Sequence, residues 1–144
     1  MNRAYRDRDV VAEMEHSGSL LRAYLTEEIV AAGLQDHVKV LGRPSCLVFV
    51  TCDAARQPSQ AYRALFMQEL LRHGVLGQSF VISAAHTATD IDCTVSAVAQ
   101  ALTVYGRAIE AGGTEGLLVG RPVAPALREY AAPRQVRTHG GSFT

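Results

Sequence analysis

Apolar positions recur along this chain at two periods. Between residues 91 and 109 they return at alternating steps of four and three: Ile91, Val95, Val98, Leu102, Tyr105 and Ile109. That spacing places them on one face of a helix. Thr87-Ala88-Thr89-Asp90 precedes the run as a capping box, and Gly112-Gly113 ends it. Asp90 and Asp92 put negative charge in the first turn, where the helix dipole favours it. A second helix is expected from Gln60 to His73. Its stripe is Tyr62, Leu65, Phe66 and Leu70, flanked by Met67 and Leu71, with Ser59 as N-cap. A third helical pattern covers residues 8–32, carried by Val10, Val11 and Met14 and then by Leu20, Leu21, Tyr24, Leu25, Ile29 and Val30. An interruption is expected near Gly18, because glycine weakens a helix interior by about 1 kcal/mol.

Strand-like runs lie at His37–Leu41 and Cys46–Cys52, separated by the loop signal Gly42-Arg43-Pro44. In the second run both alternating faces are apolar, which predicts a central strand covered on both sides. Gly74 and Gly77 bracket a turn, and Ser79–Ser83 reads as a third short strand. The order α-β-β-α-β-α predicts an α+β fold, a two-layer α/β arrangement with a small three-stranded sheet packed by helices. One domain is expected over residues 1–130: a helix at 8–32, a core at 36–111 and an extended arm at 114–130. A flexible tail at 131–144 follows. A core this small buries only about 60% of its unfolded surface, so apolar surface is expected to remain for a partner.

Composition narrows the function. Of the 144 residues, 14 are basic and 14 acidic, so the basic footprint of phosphate-backbone recognition is absent and no nucleic-acid partner is expected. No apolar run reaches the ~20 residues of a membrane span. The start, MNRAYRDRD, lacks the apolar stretch of a secretory leader, which points to the cytoplasm. Cys46, Cys52 and Cys93 form no C-x-x-C pair and read as small core hydrophobes. The five histidines show no metal-ligand spacing.

Candidate chemistry is sparse. Ser83, His86 and Asp90 could form a nucleophile, base and orienter, but Asp90 already serves the capping box and no G-x-S-x-G elbow exists. The turn reading is stronger, with His86 a solvated residue before the N-cap. The glycine-rich runs at Gly112–Gly116 and Gly140–Ser142 lack a preceding strand and a P-loop lysine, and read as loops. Arg43 and Arg121 read as surface turn residues. The single lysine, Lys39, lies mid-strand and reads as solvent-facing. No catalytic, cofactor-binding or metal residue is assigned.

Several segments in fixed order carry a resemblance. They are Gly42-Arg43-Pro44-Ser45 before Leu47-Val48-Phe49; Tyr62-Arg63-Ala64-Leu65-Phe66-Met67-Gln68-Glu69-Leu70-Leu71; Gly74-Val75-Leu76; and Ser83-Ala84-Ala85-His86-Thr87 with Asp90-Ile91-Asp92. Over about residues 9–128 the chain resembles the C-terminal small domain of class III pyridoxal-phosphate-dependent aminotransferases, in the glutamate-1-semialdehyde aminomutase-like subgroup. The resemblance implies a small domain that shapes the substrate entrance and the dimer beside a large cofactor-binding domain or subunit. In that family the Schiff-base lysine, the aspartate at the pyridine nitrogen and the phosphate loop precede the matched part. The resemblance therefore implies that pyridoxal phosphate belongs to the complete enzyme and that this chain alone is inactive. It also implies that Gln78, Ser79 and Phe80, at the loop-to-strand entry, are the residues to touch substrate. Where relatives carry a carboxylate-binding arginine or a Pro-Ser pair, this chain has Gly77-Gln78-Ser79-Phe80. The alternative is a free-standing, non-enzymatic interaction module that oligomerises through its sheet and helices.

Overall fold

The computed structural model describes residues 9–122; the far part of the expected arm and the tail at 131–144 lie outside the described residues. The elements are α1 (Val10–Ala31), β1 (Val38–Arg43), β2 (Cys46–Thr51), α2 (Gln60–Arg72), β3 (Phe80–Val81) and α3 (Ala88–Ala111). The strands form one antiparallel sheet in the order β1-β2-β3, and the fold is α+β, with the order read from the sequence.

α1 is one unbroken helix, capped by Asp9, whose carboxylate accepts from the Ala12 N–H at 3.1 Å. Gly18 does not interrupt it. The residue is buried, and a Cβ there would stand 1.9 Å from the Pro44 carbonyl oxygen. Glycine is present because the β1–β2 turn lies directly on the helix. Arg22, one turn on, donates from Nη2 to the Gly42 carbonyl and fixes the same hairpin.

The register pairs Val38 with Thr51 and Arg43 with Cys46, so only Pro44-Ser45 turn the hairpin. Gly42 and Arg43 thus belong to β1 rather than to a loop. Gly42 sits at φ +101°, and a Cβ there would lie 2.6 Å from the Cys46 carbonyl oxygen. Only glycine meets both conditions.

The core lies between the sheet and the helices. Leu21, Leu25 and Ile29 of α1, Leu47 and Phe49 of β2, Leu65, Phe66 and Leu70 of α2 and Leu102 and Tyr105 of α3 meet there. α3 packs on both other helices, and its buried side includes Ala97, Ala101 and Ala108, where the absence of bulk lets the backbones approach. Val95 and Ile109, expected in the stripe, are half-buried at its margins. The capping box is present: the Asp90 N–H reaches the Thr87 hydroxyl, and the carboxylate returns to the Thr87 N–H at 2.7 Å. Gly112 closes the helix in the left-handed conformation.

Two expectations are corrected. β2 is central in the sheet, but among the described residues it is covered on one side only. Leu47, Phe49 and Thr51 are buried, whereas Cys46, Val48 and Val50 are exposed. The helices all lie on one face, so strand parity leaves the other open. Lys39, Leu41 and Arg43 of β1 share that open face by register, and so does Val81 of β3. The cysteines are likewise not core residues: Cys46 and Cys93 are exposed and Cys52 is half-buried. Cys46 falls on the open face with Val48, and Cys93 points away from the Ile91–Val98 stripe.

Beyond the two-residue β3, the second edge of β2 is closed by other means. Arg63 donates from Nη1 to the Phe49 carbonyl at 3.0 Å, with its guanidinium 4.5 Å from the centre of the Phe49 ring. The Ser59 N–H reaches the Thr51 carbonyl at 3.0 Å. The start of the arm is also tied down. Thr114–Leu118 make a turn, Leu117 and Leu118 pack on the core, and the Gln68 amide donates to the Leu117 carbonyl at 2.9 Å while accepting from the Val119 N–H at 2.7 Å.

Candidate functional site

The start of α3, the 75–76 turn and the strand β3 enclose a cleft of about 110 Å³ floored by Leu21. Its polar wall carries Ser79, His86, Asp90 and Thr94, and Phe80, Ile82 and Ile91 line the rest. Ser83 N–H donates to His86 Nδ1 at 2.9 Å, and the Ser83 hydroxyl stands 3.0 Å from the same nitrogen. Accepting there assigns the ring proton to Nε2. Asp90 Oδ2 accepts from both the N–H and the hydroxyl of Thr87, each at 2.7 Å.

Those two bonds, the backbone one first, hold the Asp90 carboxyl below its usual range, and His86 adds a smaller pull in the same direction. The carboxylate is therefore spent on the helix start rather than on orienting His86. Ser83 and His86 are exposed and bonded within one turn. The structure thus brings the three residues of the apparent triad close in space without the geometry of one. The volume is also well below the ~300–1,000 Å³ typical of small-molecule pockets.

Of the residues expected to touch substrate, Ser79 is half-buried on the cleft wall. Phe80 lies at its base, 6% exposed, with its ring 6.0 Å from that of Phe49. Gln78 is exposed and lies outside the cleft, in a shallow depression with Leu76 and Ser79; its carbonyl accepts from Arg63 Nη2 at 3.0 Å. Ser79 and Phe80 are thus brought to the cleft, and Gln78 is turned to the surface beside it.

The residues present do not fit pyridoxal phosphate. A Schiff-base lysine needs a desolvated pocket to lower its pKa. Lys39 stands exposed on the edge strand β1, directly opposite Val50. Among the described residues no three His, Cys, Asp or Glu side chains are grouped to hold a metal ion.

Sequence patterns missed the polar residues that organise the fold. Tyr105 donates to the Cys52 carbonyl at 2.5 Å, and Tyr62 donates to the Ala108 carbonyl at 3.0 Å. Burial pushes the Tyr105 hydroxyl well above its ordinary range; burial, then Asp53 and Glu115, push Tyr62 up. His37 is joined through Nδ1 to the Asp53 carbonyl at 2.9 Å. The tyrosines sit at helical apolar spacing, which announces burial but not the bonds at the far end of each ring. No protein-family model and no curated protein matches the chain. Among the described residues no helix is long and apolar enough to cross a membrane.

Proposed function

We propose that this chain is the small-domain portion of a class III pyridoxal-phosphate-dependent aminotransferase or aminomutase. The observation that carries the reading is the open face of the sheet. Leu41, Val48, Val50 and Val81 are 37–58% exposed on one side of a sheet whose other side carries the helices and the core. Solvent-facing strand positions are ordinarily polar, and contiguous apolar ones mark an interface. A large cofactor-binding domain or subunit docked on that face would supply the lysine and phosphate loop that Lys39 cannot replace. In that setting Ser79, with Gln78 beside it, lies at the substrate entrance.

The test has two arms. Mixed with pyridoxal phosphate, the purified chain is expected to give no internal-aldimine absorption band and no borohydride-fixed adduct on Lys39. An adduct there would overturn the division of labour. Co-expression with a neighbouring frame encoding the lysine and phosphate loop is expected to yield a complex that develops the band, and failure to associate would sink the reading. The non-enzymatic module has one observation in its favour, an edge of β1 that no strand pairs with among the described residues.

A further inference from the structure

We infer that two copies of this chain associate by antiparallel pairing of their β1 strands across a two-fold axis through Val40. This goes beyond the proposed function, since it uses the edge of the sheet and not its open face. The phase of the β1–β2 ladder is fixed by the Cys52 N–H, which donates to the His37 carbonyl at 2.8 Å. Alternation along an antiparallel pair then directs the main-chain groups of Lys39, Leu41 and Arg43 toward β2. Those of Val38, Val40 and Gly42 point to the outer edge.

Two of these outward groups are already satisfied inside the chain. The Val38 N–H donates to the Leu34 carbonyl at 2.8 Å, and the Gly42 carbonyl accepts from Arg22. Among the described residues nothing pairs with the other four: the Val38 carbonyl, both Val40 groups and the Gly42 N–H. A two-fold at Val40 matches them without remainder. Val40 N–H and carbonyl bond their counterparts reciprocally, and each Gly42 N–H meets the partner's Val38 carbonyl. The two groups satisfied internally are the ones that would otherwise face each other. Any other antiparallel register of these outward groups sets at least one free group against the occupied Val38 N–H or Gly42 carbonyl.

The surroundings suit a second copy. Lys39 would stand opposite the partner's Leu41, so no two lysines meet. Beside the edge, a groove of about 240 Å³ runs between β1 and α1, lined by Thr26, Ile29, Val30, Val40 and Leu41. Val30 is 58% exposed on the wall of that groove, and the two-fold brings the partner's α1 to the same groove. On the opposite side of β2, by contrast, β3 is only two residues long, and the stretch of β2 beyond it is closed by Arg63 and Ser59.

Sedimentation of the full chain between about 1 μM and 1 mM, the range in which weak association is read, is expected to show a monomer–dimer equilibrium. Val40→Pro removes a donor that makes no bond within the chain, and Pro is tolerated at edge strands with an outward N–H. It is expected to abolish the dimer while leaving the circular dichroism of the monomer unchanged, with a melting temperature lowered only modestly by the loss of the half-buried Val40 side chain. Val30→Glu, at an exposed helix position, is an independent second variant with the same expected outcome. Val40→Cys, oxidised and digested, is expected to yield a peptide pair joined at position 40, because directly hydrogen-bonded pairs have Cα atoms about 5.5 Å apart. A chain that stays monomeric throughout overturns the inference, and so does a dimer that persists in both Val40→Pro and Val30→Glu. Neither outcome depends on pyridoxal phosphate or on a large domain, so the edge and the open face fail separately.

Discussion

Gly18 shows how one absent methyl group sets the position of a whole hairpin. The Pro44 carbonyl occupies the space where a Cβ would stand, and both atoms belong to backbones that other contacts hold. Ala is the better helix former by about 1 kcal/mol, yet here it must displace the turn. Gly18→Ala is expected to destabilise the chain by about 1–3 kcal/mol, the usual range for forced overpacking, read as a lower urea midpoint at unchanged slope. A stabilised variant would mean that the hairpin is not seated on α1. From the sequence this glycine reads as a weak point of the helix; the cause of its presence lies 26 residues away at Pro44, beyond the reach of local periodicity.

At the scale of elements, side chains do work that ladders usually do. Arg63 and Gln68 lie on α2, inside the segment that carries the family resemblance. Gln68 meets the arm as a strand would, giving one bond and taking one. Gln68→Ala is expected to release residues 117–119, seen as faster amide exchange at Val119 and earlier proteolytic cleavage near Gly116. Because Gln68 is half-buried and its loss also frees Glu69 of one partner, a stability cost of about 1 kcal/mol is expected beside it. Exchange at Val119 unchanged by the substitution would show that Leu117 and Leu118 hold the arm by packing alone.

The molecule as a whole is tied together by phenolic hydroxyls that cross between elements. Tyr105 links α3 to the end of β2, and Tyr62 links α2 to the last turn of α3. Both hydroxyls titrate higher in the folded chain than in the unfolded one. The unfolded chain therefore releases these protons first. The stability the tyrosines contribute is present in full below about pH 10, the unfolded value, and is lost as pH rises through the folded values. Alkaline titration is expected to unfold the wild type at lower pH than the Tyr105→Phe variant, relative to each protein's own stability at neutral pH.

Element order, caps and the α+β class were legible in the sequence because Thr87, Ser59, Gly112 and the apolar periods act locally. The sidedness of the sheet was not. Val48 and Leu47 are equally apolar, and only the placement of all three helices on one face separates them. The cleft was legible in part: Ser79, Phe80 and His86 adjoin it, whereas Gln78 turns aside because Arg63 holds its carbonyl.

The guanidinium of Arg63 has one more consequence. By occupying the flank of β2 beyond the two-residue β3, it leaves β1 as the one long edge among the described residues at which a further strand can add. A strand that can be joined on only one side closes after one partner. Protein of this kind, concentrated until its edges meet, stops at pairs instead of growing into fibres.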